Sequence, residues 1–270
     1  MGRSSSSPPA FQGPQEPTAP RPEDASRVRG LFSRIAGVYD LLNTVLSFGL
    51  DAYWRKRLGA AVRPLPPGGS ARILDLAAGT MKVSRELARR HPHRMVLAAD
   101  FCLPMLQKGL GALGRLKKGR VHPFAGDGKR LPLPDACVDA VTIAFGLRNI
   151  RPRAQVYAEA LRVLTPGGRF CVLEFGSARD RIWFGLYNLY LRYVLPVVGR
   201  LVSRDAQAYR YLADTVREYP AAAVLAEEMR AAGFSGLRYE AFTGGIVWLH
   251  TGVKPLQAPV GAETARPPGA

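Results

Sequence analysis

A chain of 270 residues, 47% of them hydrophobic, is long enough to bury a substantial core in one large domain. Its 38 Lys and Arg against 21 Asp and Glu leave a net charge of +17, which suits a polyanion (nucleic acid or an anionic membrane face) and equally a general compositional bias toward Arg, Ala and Pro. Three cysteines, Cys102, Cys137 and Cys171, form no CxxC pair and no Cys/His cluster, which argues against a disulfide frame or a metal site and for reduced core thiols in a cytoplasmic protein.

Residues 1–26, with Ser4 to Ser7 in a row and many prolines, lack the apolar side chains that would offset the entropy of ordering them, and are predicted to form a disordered tail. They contain no apolar run of the kind a secretory signal needs. The folded domain is expected over 27–254, followed by a flexible tail at 255–270. Residues 27 to 62 read as largely helical. From Ala71 short apolar runs alternate with helical stretches: a strand at Arg72 to Ala77, a helix at Val83 to Arg90, a strand at Met95 to Ala99 and a helix at Pro104 to Leu113. Strands follow at Val121 to Ala125 and Val138 to Ala144, then a helix at Ala154 to Leu164. The turn Thr165-Pro166-Gly167-Gly168 is expected to end that helix before a fifth strand at Arg169 to Phe175. A helix at Ala221 to Ala232 and strands at Leu237 to Phe242 and Gly245 to Thr251 close the pattern. This spacing predicts an α/β fold of the Rossmann-like kind, a mostly parallel sheet of seven strands with helices on both faces and an antiparallel end.

One segment interrupts the scheme, a helical and apolar insertion at 181–217. Its stretch Ile182 to Val202 has the length of a membrane span, but Arg192, Arg200, Pro196 and three tyrosines argue for an amphipathic cover, an interfacial helix or a core helix pair instead.

In an open parallel sheet ligands sit beyond the carboxyl ends of the strands, where strand order reverses. The polar candidates fall there. Asp75 lies in the first strand, and Gly79 lets backbone approach a ligand just after it. Asp100 ends the second strand and can accept both hydroxyls of an adenosine ribose; Asp127 ends the third and can meet an adenine amino group. The turn Ala77 to Lys82 lacks the three glycines that cradle a dinucleotide pyrophosphate, which favours S-adenosylmethionine (SAM) over NAD. Packing readings stand beside these: Asp75 capping the turn, and Asp127 opening a loop.

Several segments together resemble the C-methyltransferases of ubiquinone and menaquinone biosynthesis. They are Tyr39-Asp40, Asn43, Ser47, Gly49 and Trp54-Arg55; Leu131-Pro132 and Pro134; and Phe145-Gly146-Leu147-Arg148-Asn149. Further on come Arg162-Val163-Leu164, Pro166-Gly167-Gly168, Leu173-Glu174-Phe175, Tyr209 to Leu212, and Gly245, His250 and Gly252. The resemblance spans about Val28 to Lys254. It implies SAM as cofactor, with Thr80, Asp100, Asp127 and Gly128 as contacts and Ala144 at a position where the family often has Ser. The implied reaction is methylation of a ring carbon of a prenylated quinol. Where the family has Gly-Thr-Gly-Asp, this chain has Gly79-Thr80-Met81-Lys82; where it often has His, this chain has Asp51; and Thr165 stands for a Lys. Met81 is thereby expected to put a side chain where backbone should approach the methionine moiety, and Lys82 to reverse a charge.

For that reaction, Arg148 and Asn149 are expected to hold the quinol oxygen, Arg148 stabilising a developing phenolate. Asp40, Tyr39 or His250 would relay the proton; His250 reads equally as a satisfied core histidine, and Tyr39 and Trp54 as packing residues. The preferred substrate is demethylmenaquinol, the alternative 2-methoxy-6-polyprenyl-1,4-benzoquinol. A reading of another class is a non-catalytic quinone-binding or scaffold protein. No nucleic-acid partner is expected, since no aromatic-basic RNA-binding pattern and no amine-methylating motif is found. A quinone of this kind lives in the bilayer, so docking on anionic lipid at the inner face of the cell membrane would give the basic charge a purpose. Oligomeric state is not readable from the sequence.

Overall fold

A computed structural model describes residues 29–30, 32–34, 39–65, 70–114, 120–176, 189, 193, 215–216 and 219–256. The expected tails and nearly all of the 181–217 insertion lie outside these residues. Two helices come first, α1 (Tyr39–Leu46) and α2 (Leu50–Ala61), joined through Gly49 in the left-handed region at φ 78°. Then follow β1 (Arg72–Leu76), α3 (Lys82–Arg90), β2 (Met95–Asp100), α4 (Leu103–Leu113), β3 (Val121–Ala125) and β4 (Val138–Ala144). A 3₁₀ turn (Leu147–Asn149) leads to α5 (Arg153–Val163) and β5 (Leu164–Phe175), and the chain closes with α6 (Ala222–Ala231), β6 (Ser235–Phe242) and β7 (Val247–Val253).

The seven strands form one sheet in the order β3-β2-β1-β4-β5-β7-β6, parallel except that β7 runs against both its neighbours. The expected mixed sheet with an antiparallel end is therefore present. One boundary differs. Thr165 to Gly168 is part of β5 rather than a turn before it, and the register against β4 jumps from Val138–Leu164 to Ala140–Arg169. The cause is the C-terminal neighbour: Gly167 N–H donates to the Lys254 carbonyl and Lys254 N–H to the Gly168 carbonyl, both at 2.9 Å, which holds the bulged segment in the sheet.

Strand alternation sends side chains to two cores. On one face Ile73, Ala140, Cys171, Leu173, Val247 and Leu249 pack under α2 and α3 with Trp54, Leu58 and Leu87. On the other, Leu74, Leu76, Val141, Ile143, Phe170 and Val172 meet Tyr157 of α5 and Leu225 and Met229 of α6. Each buried Leu, Ile, Val, Phe or Met among them contributes roughly 1.5–3 kcal/mol relative to exposure. The three cysteines are free and buried. Trp54 also donates its indole N–H to Thr243 Oγ1 at 3.2 Å, joining α2 to the β6–β7 connection 189 residues away.

Candidate active site

Strand order reverses between β1, whose partner on one side is β2, and β4 on the other. A cleft opens at this switch point. Its wall comprises Ala77 and Gly79 after β1, Asp100, Phe101, Cys102 and Met105 after β2, and Ala144, Phe145, Gly146, Asn149 and Ile150 after β4, with Phe32 from the N-terminal segment against it. Asp100 is nearly buried there, its two oxygens accepting from Gly79 N–H and Cys102 N–H, each at 2.7 Å. Burial raises its carboxyl above the ordinary value, opposed by the N–H groups of Cys102, Gly79 and Phe101. Each oxygen keeps a further lone pair for a ligand hydroxyl. The backbone bends sharply around this cleft, with left-handed φ at Ala77 (54°), Gly79 (53°), Met81 (60°) and Phe145 (55°). Gly146 has no room for a side chain, because a Cβ there would lie 2.5 Å from Ala77 Cβ.

Of the residues expected at the cofactor, Gly79, Asp100 and Ala144 meet in this cleft. Asp75 does not reach it. That residue shares the face of Ile73, is fully buried beneath α3, and accepts from Ser84 Oγ at 2.5 Å and Thr142 Oγ1 at 3.0 Å. Both oxygens are engaged in the core, and burial pushes its carboxyl up to about 7. Asp127 is exposed past the end of β3, accepting from Lys129 N–H at 3.0 Å, while Gly128 is buried where a Cβ would press on Leu76 at 3.2 Å.

Met81 also departs from expectation. Its left-handed backbone turns the side chain away from the cleft into the space between β2 and α4, where it is fully buried with Ala98 and Leu106. Gly109 of α4 makes room, since a Cβ there would lie 2.6 Å from the Thr80 carbonyl and 2.8 Å from Met81 Cε. The turn after β1 thus accommodates a bulky residue without that side chain entering the cleft.

Thr80 is buried and donates its hydroxyl to Asp40 Oδ1 at 2.6 Å, which ties α1 to the turn. Lys82 completes that contact: its ammonium donates to the Asp40 carbonyl at 3.2 Å and to Thr44 Oγ1 at 3.3 Å, and lies 3.8 Å from Asp51 Oδ2. Asp51, in turn, accepts from Arg55 at 2.6 Å. Tyr39 begins α1; its side chain lies outside the described residues.

On the substrate side Asn149 lines the cleft and Arg148 does not. The Arg148 guanidinium is buried, donating to Glu174 Oε1 and to the Phe145 carbonyl, both at 2.6 Å, over the Phe175 ring. Expected to meet a substrate oxygen directly, it instead braces the Phe145–Asn149 segment from behind. Glu174, at the end of β5, received no role from sequence reasoning; it also accepts from Arg148 N–H and Phe175 N–H. His250 is buried in β7 on the sheet face covered by α6, with Nε2 2.9 Å from the Ala222 carbonyl and its ring stacked on Tyr239. Burial lowers its pKa, and the core reading of this residue fits its surroundings. The apolar wall of Phe32, Phe101 and Met105 was not foreseen either.

A family model described as the ubiE/COQ5 methyltransferase family matches residues 22–254. The chain belongs to that family. Among its relatives, the demethylmenaquinone methyltransferase of Mycobacterium bovis (strain BCG / Pasteur 1173P2) is 43% identical over 233 residues, covering 86% of this chain and 94% of the relative. The ubiquinone/menaquinone biosynthesis C-methyltransferase UbiE of Syntrophotalea carbinolica is also 43% identical, over 84% of this chain and 94% of its own length. A solved SAM-dependent methyltransferase of Thermotoga maritima shares the fold with a TM-score of 0.55 at 17% identity, over 83% of this chain and 98% of that one. The enzyme class expected from the sequence, a SAM-dependent methyltransferase, is that of the family. Among the described residues no helix is long and apolar enough to cross a membrane.

Proposed function

We propose that the chain transfers a methyl group from SAM to a ring carbon of a demethylmenaquinol. The observation that carries this reading is the cleft at the switch point, where Asp100 lies opposite Phe145 and Asn149 at the end of β4. Family membership and the 43% identity to a relative named as a demethylmenaquinone methyltransferase support the choice of substrate.

SAM, when bound, supplies an electrophilic methyl group on a sulfonium that leaves with the electron pair of the broken carbon–sulfur bond. The residues present fit it: Asp100 would accept from the ribose hydroxyls, and the bare backbone at Gly79 and the Ala144 methyl leave space beside it. Asp127, exposed at the end of β3, is open to an adenine amino group. The apolar side chains of Phe32, Phe101, Met105 and Phe145 exclude water from the reacting centre. Asn149 would donate to the quinol oxygen and fix the ring in line with the methyl group. Arg148 acts through Asn149 by holding the segment that carries it. After the new carbon–carbon bond forms, the ring carbon loses a proton. Asp40, partly exposed and hydrogen-bonded to Thr80, is the acceptor we propose.

The test is incubation of the purified protein with SAM and a demethylmenaquinol, with products read by mass spectrometry. A quinone one methyl group heavier, and loss of SAM binding by calorimetry in Asp100→Ala, are expected. Absence of SAM binding by the wild-type chain would favour a scaffold role, and methylation of the methoxybenzoquinol in preference would move the substrate to ubiquinone synthesis.

A further inference from the structure

A groove of about 400 Å³ lies open between α2 and α3, with Ala112 of α4 against it, and shares no lining residue with the cleft. Helical spacing builds its walls: Ala52, Arg55 and Lys56 come from one face of α2, and Lys82, Arg85, Glu86 and Arg89 from α3. The two helices approach most closely at Gly59, where a Cβ would stand 3.4 Å from the side chains of Glu86 and Arg90. Ala52 and Ala112 are too small to fill the space between the cations.

Five cationic side chains thus face one carboxylate in the groove wall. That carboxylate, Glu86, is already held by Arg89 at 2.5 Å and Arg90 at 3.3 Å. Asp51 is taken by Arg55 at 2.6 Å and lies 3.8 Å from Lys82, whose ammonium is also 3.5 Å from Asp40. Lys56 and Arg85 form no ion pair among the described residues. Arg85 is half-buried, and burial lowers its pKa; Asp40 opposes this, while Arg55 and Arg89 lower it further. Cations crowded together with too little counter-charge favour an anion between them.

The arrangement selects the kind of anion. A guanidinium presents a planar fork of donors that matches two phosphate oxygens at once, and an ammonium adds a movable point charge. Set on two facing helices, these groups suit a ligand that packs several charges into a short length, as linked phosphoryl groups do. A single orthophosphate would leave part of the set unmatched. A nucleic acid spaces its phosphates along a line, and a lipid surface over a plane, rather than into a groove.

We propose that the α2–α3 groove binds a free oligophosphate, the di- or triphosphate group of a small molecule, with Lys56, Arg85 and Arg89 as its principal partners. This site is separate from the cofactor cleft and does not depend on the methyl-transfer reading.

The test is calorimetric titration of the full chain with inorganic tripolyphosphate, pyrophosphate and orthophosphate, in the absence of SAM and quinol. Tripolyphosphate should saturate a single site, and orthophosphate should bind at least about tenfold more weakly because it meets fewer charge-assisted donors. Lys56→Gln/Arg85→Gln, its fold checked by circular dichroism, should bind tripolyphosphate at least about tenfold more weakly than wild type. Lys56→Gln/Arg89→Gln, which leaves the half-buried Arg85 in place, should lose affinity likewise. Arg238→Gln, which removes an exposed cation on β6, should lose less than about twofold. Saturating SAM should leave the anion affinity unchanged. Uptake that does not saturate, equal losses in the groove and β6 variants, or displacement of the anion by SAM would each overturn the proposal. So would displacement by phosphatidylglycerol vesicles or single-stranded DNA at matched phosphate, which would assign the groove to a lipid surface or a nucleic acid.

Discussion

Lys82 and Asp51 face each other with their ionic groups 3.8 Å apart, and both positions depart from the family pattern in opposite senses, a base at 82 where the pattern has an acid and an acid at 51 where it often has a His. A lysine in the first turn of α3 is disfavoured by the helix dipole, and Asp40 and Asp51 offset this. Lys82→Asp alone should destabilise the chain by about 2 kcal/mol, because it places a third carboxylate beside two others. Adding Asp51→His should recover a good part of that loss, with a coupling energy of about 1 kcal/mol in a urea-denaturation cycle. Strictly additive effects would show that the two departures are unrelated.

The pair of Arg148 and Glu174 makes a second prediction. Arg148→Ala leaves a buried carboxylate without its cation and should cost about 3–5 kcal/mol in stability. Arg148→Ala/Glu174→Ala should restore much of the stability but not the methylation rate, since the Phe145–Asn149 segment remains unbraced. SAM affinity by calorimetry should change little in the double variant. A double variant with wild-type activity would remove Arg148 from the positioning role.

Asp75 gives a pH dependence. Its carboxyl is raised from 3.8 to about 7 in the folded chain, so between these values the folded state holds a proton that the unfolded state releases. Stability from this group therefore falls as pH rises through that window, by on the order of 4 kcal/mol at most. Asp75→Asn keeps a carbonyl for one hydroxyl and cannot ionise. Relative to wild type it should gain stability steadily between about pH 4 and pH 7. Thermal melts of both proteins across that range check this; curves that stay parallel would mean that Asp75 does not titrate there. SAM binding should persist in Asp75→Asn, as its oxygens face the core.

Met81→Gly, which restores the family residue, should destabilise rather than help. Relief of a left-handed non-glycine residue gains roughly 1–2 kcal/mol, whereas emptying a fully buried methionine site costs roughly 2–5 kcal/mol. A net loss near 2 kcal/mol by chemical denaturation is expected, with SAM affinity nearly unchanged.

The sheet and both its faces were legible because apolar runs of strand length alternate with helical ones from Arg72 onward. Asp100 was legible too, being a carboxylate at the end of a strand beside the switch point. Asp75 misled because its neighbour Gly79 lies in the cleft; strand parity alone places it with Ile73 under α3, but which helix supplies Ser84 is a tertiary fact. The direction of Met81 depends on a φ of 60°, which no residue type at that position announces. Arg148 found its partner 26 residues further on at the end of the adjacent strand, a pairing set by sheet register rather than by local pattern.

The strand that runs against its neighbours has a consequence for how the chain is made. β7 is the last element described, yet it sits between β5 and β6 and packs Val247 and Leu249 on the core that begins with Trp54 and Leu58 of α2. Such distant pairings form slowly because much loop entropy is lost before they reward it. An emerging chain can therefore assemble β1 to β4 on the ribosome, but the α2 side of its core stays open until residues beyond 247 leave the exit tunnel. Until then the Trp54 surface is an exposed apolar patch, and the interval between α2 and β7 is when aggregation or chaperone capture competes with folding.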